Sequence, residues 1–265
     1  MNEVLGSLVR HRGGVVTWGV ARQVVPEWML RRACRAGHLV RVLPQVYVDA
    51  GLIREPVLPG DPVLARLDPS AAQRAALAYA DGRAALSQLS ALDVWGLRRQ
   101  PLGESVHLDV AAGSGLRPRP HLLIHHRRGF TLAPPQVLSR GGLPLVRLER
   151  ALVDAWPLLP PAERLDAVIR AVNDRLTTPQ RLGAALRVSP RLAGRAELRT
   201  LLDRLRAGCR SPLEIWGHDH VFTGPGMPPF QRQTRIVIGR RTMYLDVWAE
   251  RERVDFELDG AATPR

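Results

Sequence analysis

The sequence predicts an α+β protein, because helical and strand-like patterns alternate along the chain. Apolar residues recur at helical spacing in several segments, whereas strict alternation marks Ser105–Val110 and Arg253–Leu258. Proline and glycine cluster at 55–62 and 208–212 and predict breaks there. We therefore predict three domains, at residues 1–52, 63–208 and 211–265, and the length of 265 residues is sufficient for buried cores.

The charge of the chain is strongly basic and unevenly spread. The formal net charge is +13, and all 38 basic residues are arginine. Arginine in place of lysine is typical of a GC-rich genome, but such bias does not explain an excess of base over acid. That excess lies in residues 1–51 (net +4) and 52–210 (net +10), whereas 211–265 is net −1. The basic part favours a polyanionic partner, of which nucleic acid is the commonest.

Several protein classes are not expected from this sequence. No apolar run reaches the roughly 20 residues that cross a bilayer, and the first residues lack a secretory apolar segment. Cys34 and Cys209 are too few for a disulfide framework or a cysteine metal cluster. We expect a cytoplasmic protein with two reduced thiols and no membrane partner.

Residues 1–52 predict three short helices followed by a hairpin. The helices are expected at Met1–Arg12, Trp18–Val24 and Pro26–Ala36, with Thr17 as the N-cap of the second. The strands Leu39–Val42 and Val46–Val48 follow, joined by a turn. This order is that of a winged helix-turn-helix.

The third helix is predicted to carry an arginine face. At about 100° per residue, Met29, Leu30 and Ala33 fall on one side and the arginines fall on the other. Such a face on the second helix of a helix-turn-helix meets base edges and phosphates, although a merely solvated polar face is the alternative. The candidate DNA-binding residues are Thr17, Trp28, Arg31, Arg32, Arg35 and Arg41.

The N-terminal segment resembles the DNA-binding domain of AbiEi-type antitoxins. The resemblance lies in Gly14-Val15-Val16-Thr17, in residues 30–42 and in Gln45-Val46-Tyr47, where the family usually has glycine in place of Gln45. It implies a winged helix that binds double-stranded DNA, represses its own operon and is paired with a toxin.

The middle region is predicted to mix helices with two strands. Helical patterns cover Ser70–Tyr79, Ala84–Trp95, 147–156, 162–176 and 194–207, and strand-like runs cover 105–110 and 122–126. A metal site is not expected at His121, His125 and His126, because no carboxylate or cysteine stands with them at metal-ligand spacing. The surrounding arginines are a weaker candidate for a phosphate-binding surface.

The last segment predicts one helix and three strands. Ser211 is the expected N-cap of a helix that Pro212 opens, and strands follow at 231–238, 242–248 and 253–258. Asp255, Glu257 and Asp259 share one face of the last strand, next to Asp246. Carboxylates gathered in this way suit a hard cation such as Mg²⁺, although an exposed acidic edge is the alternative.

This segment resembles the very-short-patch-repair endonucleases, of the PD-(D/E)xK, restriction-endonuclease-like superfamily. The resemblance lies in Ser211-Pro212-Leu213-Glu214, Gln231-x-Gln233, 244–248 and Phe256-Glu257-Leu258-Asp259-Gly260. It implies an α/β fold and a catalytic set of Glu214, Asp246, Glu257 and Asp259, with Mg²⁺ on Asp246 and Glu257. The superfamily has a further helix, strand and helix, so we expect an incomplete domain whose sheet edge favours self-association.

Three functions are consistent with these patterns. The favoured one is a DNA-binding regulator, related to antitoxins, with a vestigial or partial nuclease domain. The second is an active Mg²⁺-dependent DNA endonuclease that the winged helix targets, and the third is a degenerate nuclease that serves as an interaction module.

Overall fold

The computed structural model describes residues 1–56 and 58–257, and their helices and strands form a mixed α+β protein, as predicted. The chain divides into two compact units, Met1–Ala151 and Leu152–Arg265. The domain boundaries 1–52, 63–208 and 211–265 stay predictions. Within the described residues, every helix is too short or too polar to span a bilayer.

The first unit begins with helices and strands at the predicted places. An antiparallel sheet pairs its strands in the order β1-β3-β2, so that one strand precedes the predicted hairpin. The elements are α1 (Glu3–His11), β1 (Val15–Thr17), α2 (Trp18–Arg22), α3 (Glu27–Arg35), β2 (Leu39–Leu43) and β3 (Val46–Asp49). One apolar core holds the three helices against the sheet, and it includes Leu5, Val9, Val16, Ala21, Leu30 and Ala33.

The turn between β2 and β3 contains a strained residue. Gln45 has a φ of 65°, in the left-handed region that favours glycine. This conformation costs a non-glycine residue roughly 1–2 kcal/mol, which glycine avoids. Glycine, however, loses more backbone entropy on folding, and this loss offsets about 0.5–1 kcal/mol of the stabilisation. We expect Gln45→Gly to raise the free energy of unfolding by about 0.5–1 kcal/mol, measured by urea denaturation.

Gln23 provides the matched control for this change. It is equally exposed but has an ordinary φ of −73°, so Gln23→Gly should lower the free energy of unfolding. A loss of stability in Gln45→Gly as large as that in Gln23→Gly would contradict the assignment of strain to the turn.

The first unit also contains a five-stranded sheet in the order β6-β5-β4-β8-β7. Its central strand β4 pairs antiparallel with β5 and parallel with β8, and β5 pairs parallel with β6. The elements are α4 (Pro69–Ala80), β4 (Ala84–Leu86), α5 (Gln88–Trp95), β5 (Val106–Ala111), β6 (Leu122–Arg127), β7 (Val137–Arg140) and β8 (Leu143–Val146).

The predicted helix Ala84–Trp95 is wrong in its first turn. Ala84, Ala85 and Leu86 form β4 instead, and all three are fully buried between neighbouring strands. A short apolar run is compatible with a buried strand or a buried helix, because it contains no polar residues whose spacing would distinguish the two.

The second unit consists of helices followed by an antiparallel sheet in the order β11-β10-β9. The strands predicted at 231–238 and 242–248 are confirmed, and the third is present at Val254–Phe256. A further helix, at Pro179–Arg187, was not predicted. The elements, after α6 (Leu148–Ala155) at the unit boundary, are α7 (Pro161–Asn173), α8 (Pro179–Arg187), α9 (Arg195–Arg206), α10 (Pro212–His220), β9 (Gln231–Ile238), β10 (Arg241–Ala249) and β11 (Val254–Phe256).

Local capping explains where α10 begins. Ser211 Oγ accepts a hydrogen bond of 3.1 Å from the backbone N–H of Glu214, and Pro212 occupies the first turn, as predicted. On the sheet, Phe256 packs with Phe222 and Phe230, with ring centroids 5.4 and 6.2 Å away. This aromatic contact joins β11 to the segment between α10 and β9.

Candidate functional site

Helix α3 presents a basic stripe to solvent. Leu30 and Ala33 are buried in the core, which orients the helix and turns its opposite side outward. The outward residues follow the spacing i, i+3, i+4 and i+7, so they lie along one face. These residues, all exposed, are Trp28, Arg31, Arg32 and Arg35, and we call them the α3 face.

One acidic residue pairs with the α3 face. The Nη2 of Arg31 lies 2.6 Å from Glu27 Oε1, and its Nε donates to the same oxygen at 3.0 Å. The hydrogen bond and charge of Arg31 lower the pKa of the Glu27 carboxyl. The pair is exposed and lies one helical turn apart, so its net contribution to stability is small and a phosphate can compete for Arg31.

A groove separates the C-terminal half of α3 from the hairpin. Its volume is about 600 Å³, and Arg31, Arg35 and Arg41 line it. Trp18 and Tyr47 lie in the same groove, with their ring centroids 5.4 Å apart. The groove therefore combines three cations with two aromatic rings, which suits a polyanion that carries flat or apolar groups.

Cys34 and Thr17 are used differently at this site. Cys34 also lines the groove, but burial raises the pKa of its thiol, so it is not primed as a nucleophile. The Oγ1 of Thr17 accepts a hydrogen bond of 3.3 Å from Val20 N–H and so caps α2, as predicted. Thr17 is half-buried, and its predicted contact with DNA stays a prediction.

The carboxylates of the second unit lie on one face of its sheet. Val247 is paired with Phe256 and Trp248 with Asp255. The pairing ends at Phe256; the same register continued by one residue would set Glu257 opposite Asp246, and opposed residues of antiparallel strands share a face. Asp246 Oδ1 accepts a 3.0 Å hydrogen bond from Gln233 Nε2. Asp255 adds a third carboxylate to this face.

Glu214, also predicted to be catalytic, has a capping contact. Its side chain is buried, and its Oε2 accepts a 3.0 Å hydrogen bond from the backbone N–H of Arg210. The contact resembles a capping box but reaches Arg210, the residue before the N-cap Ser211, and so holds the chain that enters α10. Asp259, the fourth predicted catalytic residue, lies outside the described residues.

The donors on this sheet fit a hard divalent cation only in part. Asp246 and Glu257 offer oxygen ligands, and Asp255 Oδ1 is buried with no hydrogen-bond partner among the described residues. Among residues 1–56 and 58–257, however, no three His, Cys, Asp or Glu side chains form a group that could hold a metal ion. From the described residues, magnesium would therefore take two carboxylates, and water would supply further ligands.

A buried histidine on β5, which contacts α5, was not predicted as functional. His107 Nδ1 lies 2.7 Å from Gln88 Oε1 and 3.1 Å from His125 Nε2. The two imidazole rings stack, with centroids 5.3 Å apart. Burial, followed by the neighbouring charges of His125 and Arg98, lowers the pKa of His107 to about 4.

Sequence reasoning also missed residues that complete these sites. Trp18 and Tyr47 form part of the groove, and Gln233 binds Asp246. Two of them, Tyr47 and Gln233, fall within the family-like motifs, and that placement was the only sequence signal for them. Comparison with family models and with curated proteins gives no match for this chain.

Proposed function

We propose that this protein is a DNA-binding regulator whose helix α3 enters the major groove of double-stranded DNA. The observation that carries the proposal is the α3 face, three arginines and a tryptophan on one exposed stripe beside the hairpin residue Arg41. The order of three helices and a hairpin supports a winged helix-turn-helix of the kind found in AbiEi-type antitoxins, and a toxin partner belongs to the same proposal.

The chemistry of the α3 face suits both base edges and phosphates. A guanidinium donates two parallel hydrogen bonds to guanine O6 and N7, and the same group binds phosphate oxygens. Trp28 offers an apolar surface of the kind that contacts a thymine methyl group. Arg41, exposed on β2, is suited to a backbone phosphate next to the groove.

The first test removes two arginines from the α3 face. We expect Arg31→Ala combined with Arg35→Ala to weaken duplex affinity about 30- to 25,000-fold, because each such contact contributes roughly 1–3 kcal/mol. Fluorescence anisotropy with labelled genomic duplexes at fixed salt measures this loss.

Arg10→Ala combined with Arg99→Ala is the matched control. Both residues are exposed in the first unit and outside α3, so this variant loses the same charge. It should retain duplex affinity within about threefold, which is the effect expected from the loss of two positive charges away from the contact. Equal losses in the two double variants would contradict a specific role of the α3 face.

A second candidate function is Mg²⁺-dependent cleavage of DNA. The observation that favours it is the pairing of Trp248 with Asp255, which puts Asp255 on the face of Asp246, together with the hydrogen bond from Gln233 to Asp246. Asp246 and Glu257 would hold the metal, as in the very-short-patch-repair endonucleases. When bound, Mg²⁺ supplies an activated water and stabilises the charge that develops on phosphodiester oxygens.

Cleavage assays separate this candidate from a binding-only role. If the nuclease is active, Asp246→Ala and Glu257→Ala should each reduce Mg²⁺-dependent nicking by at least about 100-fold, because two carboxylates hold the metal. Glu252→Gln, in the exposed turn before β11, is the control and should cleave normally. Cleavage that persists in both Asp246→Ala and Glu257→Ala would overturn this assignment.

A further inference from the structure

The second unit contains a basic cavity whose arginines neither candidate function uses. It has a volume of about 830 Å³, within the range of small-molecule sites. Arg175, Arg206 and Arg210 line it, and among the described residues no aspartate or glutamate does so. Three guanidinium groups around one concave surface repel one another, so an anion bound between them is favoured.

The arginines arrive from three backbone positions that are held in place. Arg175 follows the end of α7, and Arg206 ends α9. The backbone of Arg210 is fixed from both sides, because its N–H donates to Glu214 Oε2 at 3.0 Å and its carbonyl accepts from Asn173 Nδ2 at 2.8 Å. Fixed backbone positions reduce the entropy that is lost when side chains close on a ligand.

Internal contacts satisfy only one of the three guanidinium groups. Arg206 Nη1 lies 2.5 Å from Asp203 Oδ1, and its Nη2 donates to the carbonyl of Pro179 at 3.3 Å. The side chains of Arg175 and Arg210 make no hydrogen bond or ion pair with the described residues, and both are exposed. Two donor groups are thus available for a ligand, while the third anchors the wall of the cavity.

The remaining lining supplies neutral hydrogen-bonding groups. Thr178 is the N-cap of α8 and Gln180 lies in its first turn, and Gln233 and Tyr244 come from the sheet. The first turn of a helix carries a partial positive charge, which adds to the field of the arginines. Gln233 also binds Asp246, so the cavity adjoins the carboxylate face of the sheet.

We propose that this cavity binds a phosphate group, with Arg175 and Arg210 as the ligand-contacting cations and Arg206 as their support. Arginine matches the oxygens of phosphate with paired donors, and the cavity is large enough for a phosphorylated molecule of nucleotide size. The same chemistry is offered by two sources, a small phosphorylated molecule and the backbone of DNA.

Calorimetric titration of the full chain with pyrophosphate tests the site. The wild-type protein should show one saturable binding event, and Arg175→Ala combined with Arg210→Ala should weaken it at least about tenfold. Arg191→Ala combined with Arg199→Ala, two exposed arginines of the same unit outside the cavity, should bind as the wild type does. If the alanine variant has a lowered Tm, Arg175→Gln combined with Arg210→Gln replaces it in the titration.

Duplex-binding measurements on the same variants distinguish the two sources of the phosphate. Unchanged duplex affinity in Arg175→Ala/Arg210→Ala assigns the site to a small phosphorylated ligand, and a parallel loss of duplex affinity assigns it to the DNA backbone. The absence of saturable pyrophosphate binding, or equal binding by all variants, would overturn the proposal. Because Arg31→Ala/Arg35→Ala leaves this cavity intact, failure of the α3 face as a DNA contact would not alter the pyrophosphate result.

Discussion

Replacement of Arg127 by methionine should lower the free energy of unfolding by about 3–5 kcal/mol. Arg127 Nε donates to Asp109 Oδ2, and the side chain of Asp109 on the inner strand β5 is only 1% exposed. Methionine retains much of the volume but leaves a buried carboxylate without its counter-charge, which is more costly than removal of both partners. Urea unfolding at pH 7 measures the difference.

The neighbouring residue Arg128 offers a matched control. It is exposed, so Arg128→Met removes the same charge at the same end of β6 and should change the stability by less than about 0.5 kcal/mol. Asp109→Asn added to Arg127→Met should restore part of the stability, because the buried charge is then absent. Equal stabilities of the two single methionine variants would show that the ion pair contributes nothing.

A decrease in pH from 7 to 4.5 should destabilise the protein by about 2.5 kcal/mol through His107 alone. Burial holds the pKa of His107 near 4 in the folded chain, below the ordinary value of 6.5. Between these values the unfolded chain binds a proton that the folded chain does not, so stability decreases as the pH falls from about 6.5 to 4. Urea unfolding at pH 7, 5.5 and 4.5 measures the decrease.

Removal of the titrating group separates His107 from the carboxylates. His107→Gln should make the pH dependence shallower by about 2.5 kcal/mol over this range, whereas His11→Gln, at an exposed position in α1, should leave it as in the wild type. Identical pH profiles for the wild type and His107→Gln would contradict the burial of a neutral imidazole.

The secondary structure could be predicted where polar and apolar residues alternate with the period of a helix or a strand. Alternation along 242–248 identifies β10, and the helical period of α3 separates Leu30 and Ala33 from its arginines. Ala84–Leu86 has no polar face because it is buried at the centre of a sheet, and there the helix prediction was wrong. Strand order within the five-stranded sheet depends on long-range pairing that no local pattern contains.

The candidate sites show the same division. The face of α3 follows from spacing within one helix, but its groove also needs Trp18 and Tyr47, which only tertiary packing brings to Arg35. The basic cavity was missed for the same reason, because Arg175 and Arg210 are 35 residues apart and share no local period. Burial of Asp109 likewise depends on its neighbouring strands and not on its own sequence position.

The salt dependence of duplex affinity tests the central claim most directly. The slope of log Kobs against log salt counts the phosphates that a protein neutralises. We expect Arg31→Ala combined with Arg35→Ala to weaken binding and to make this slope shallower by roughly 1 for each phosphate that the variant no longer neutralises. Affinity and slope equal to those of the wild type would show that the α3 face does not contact DNA.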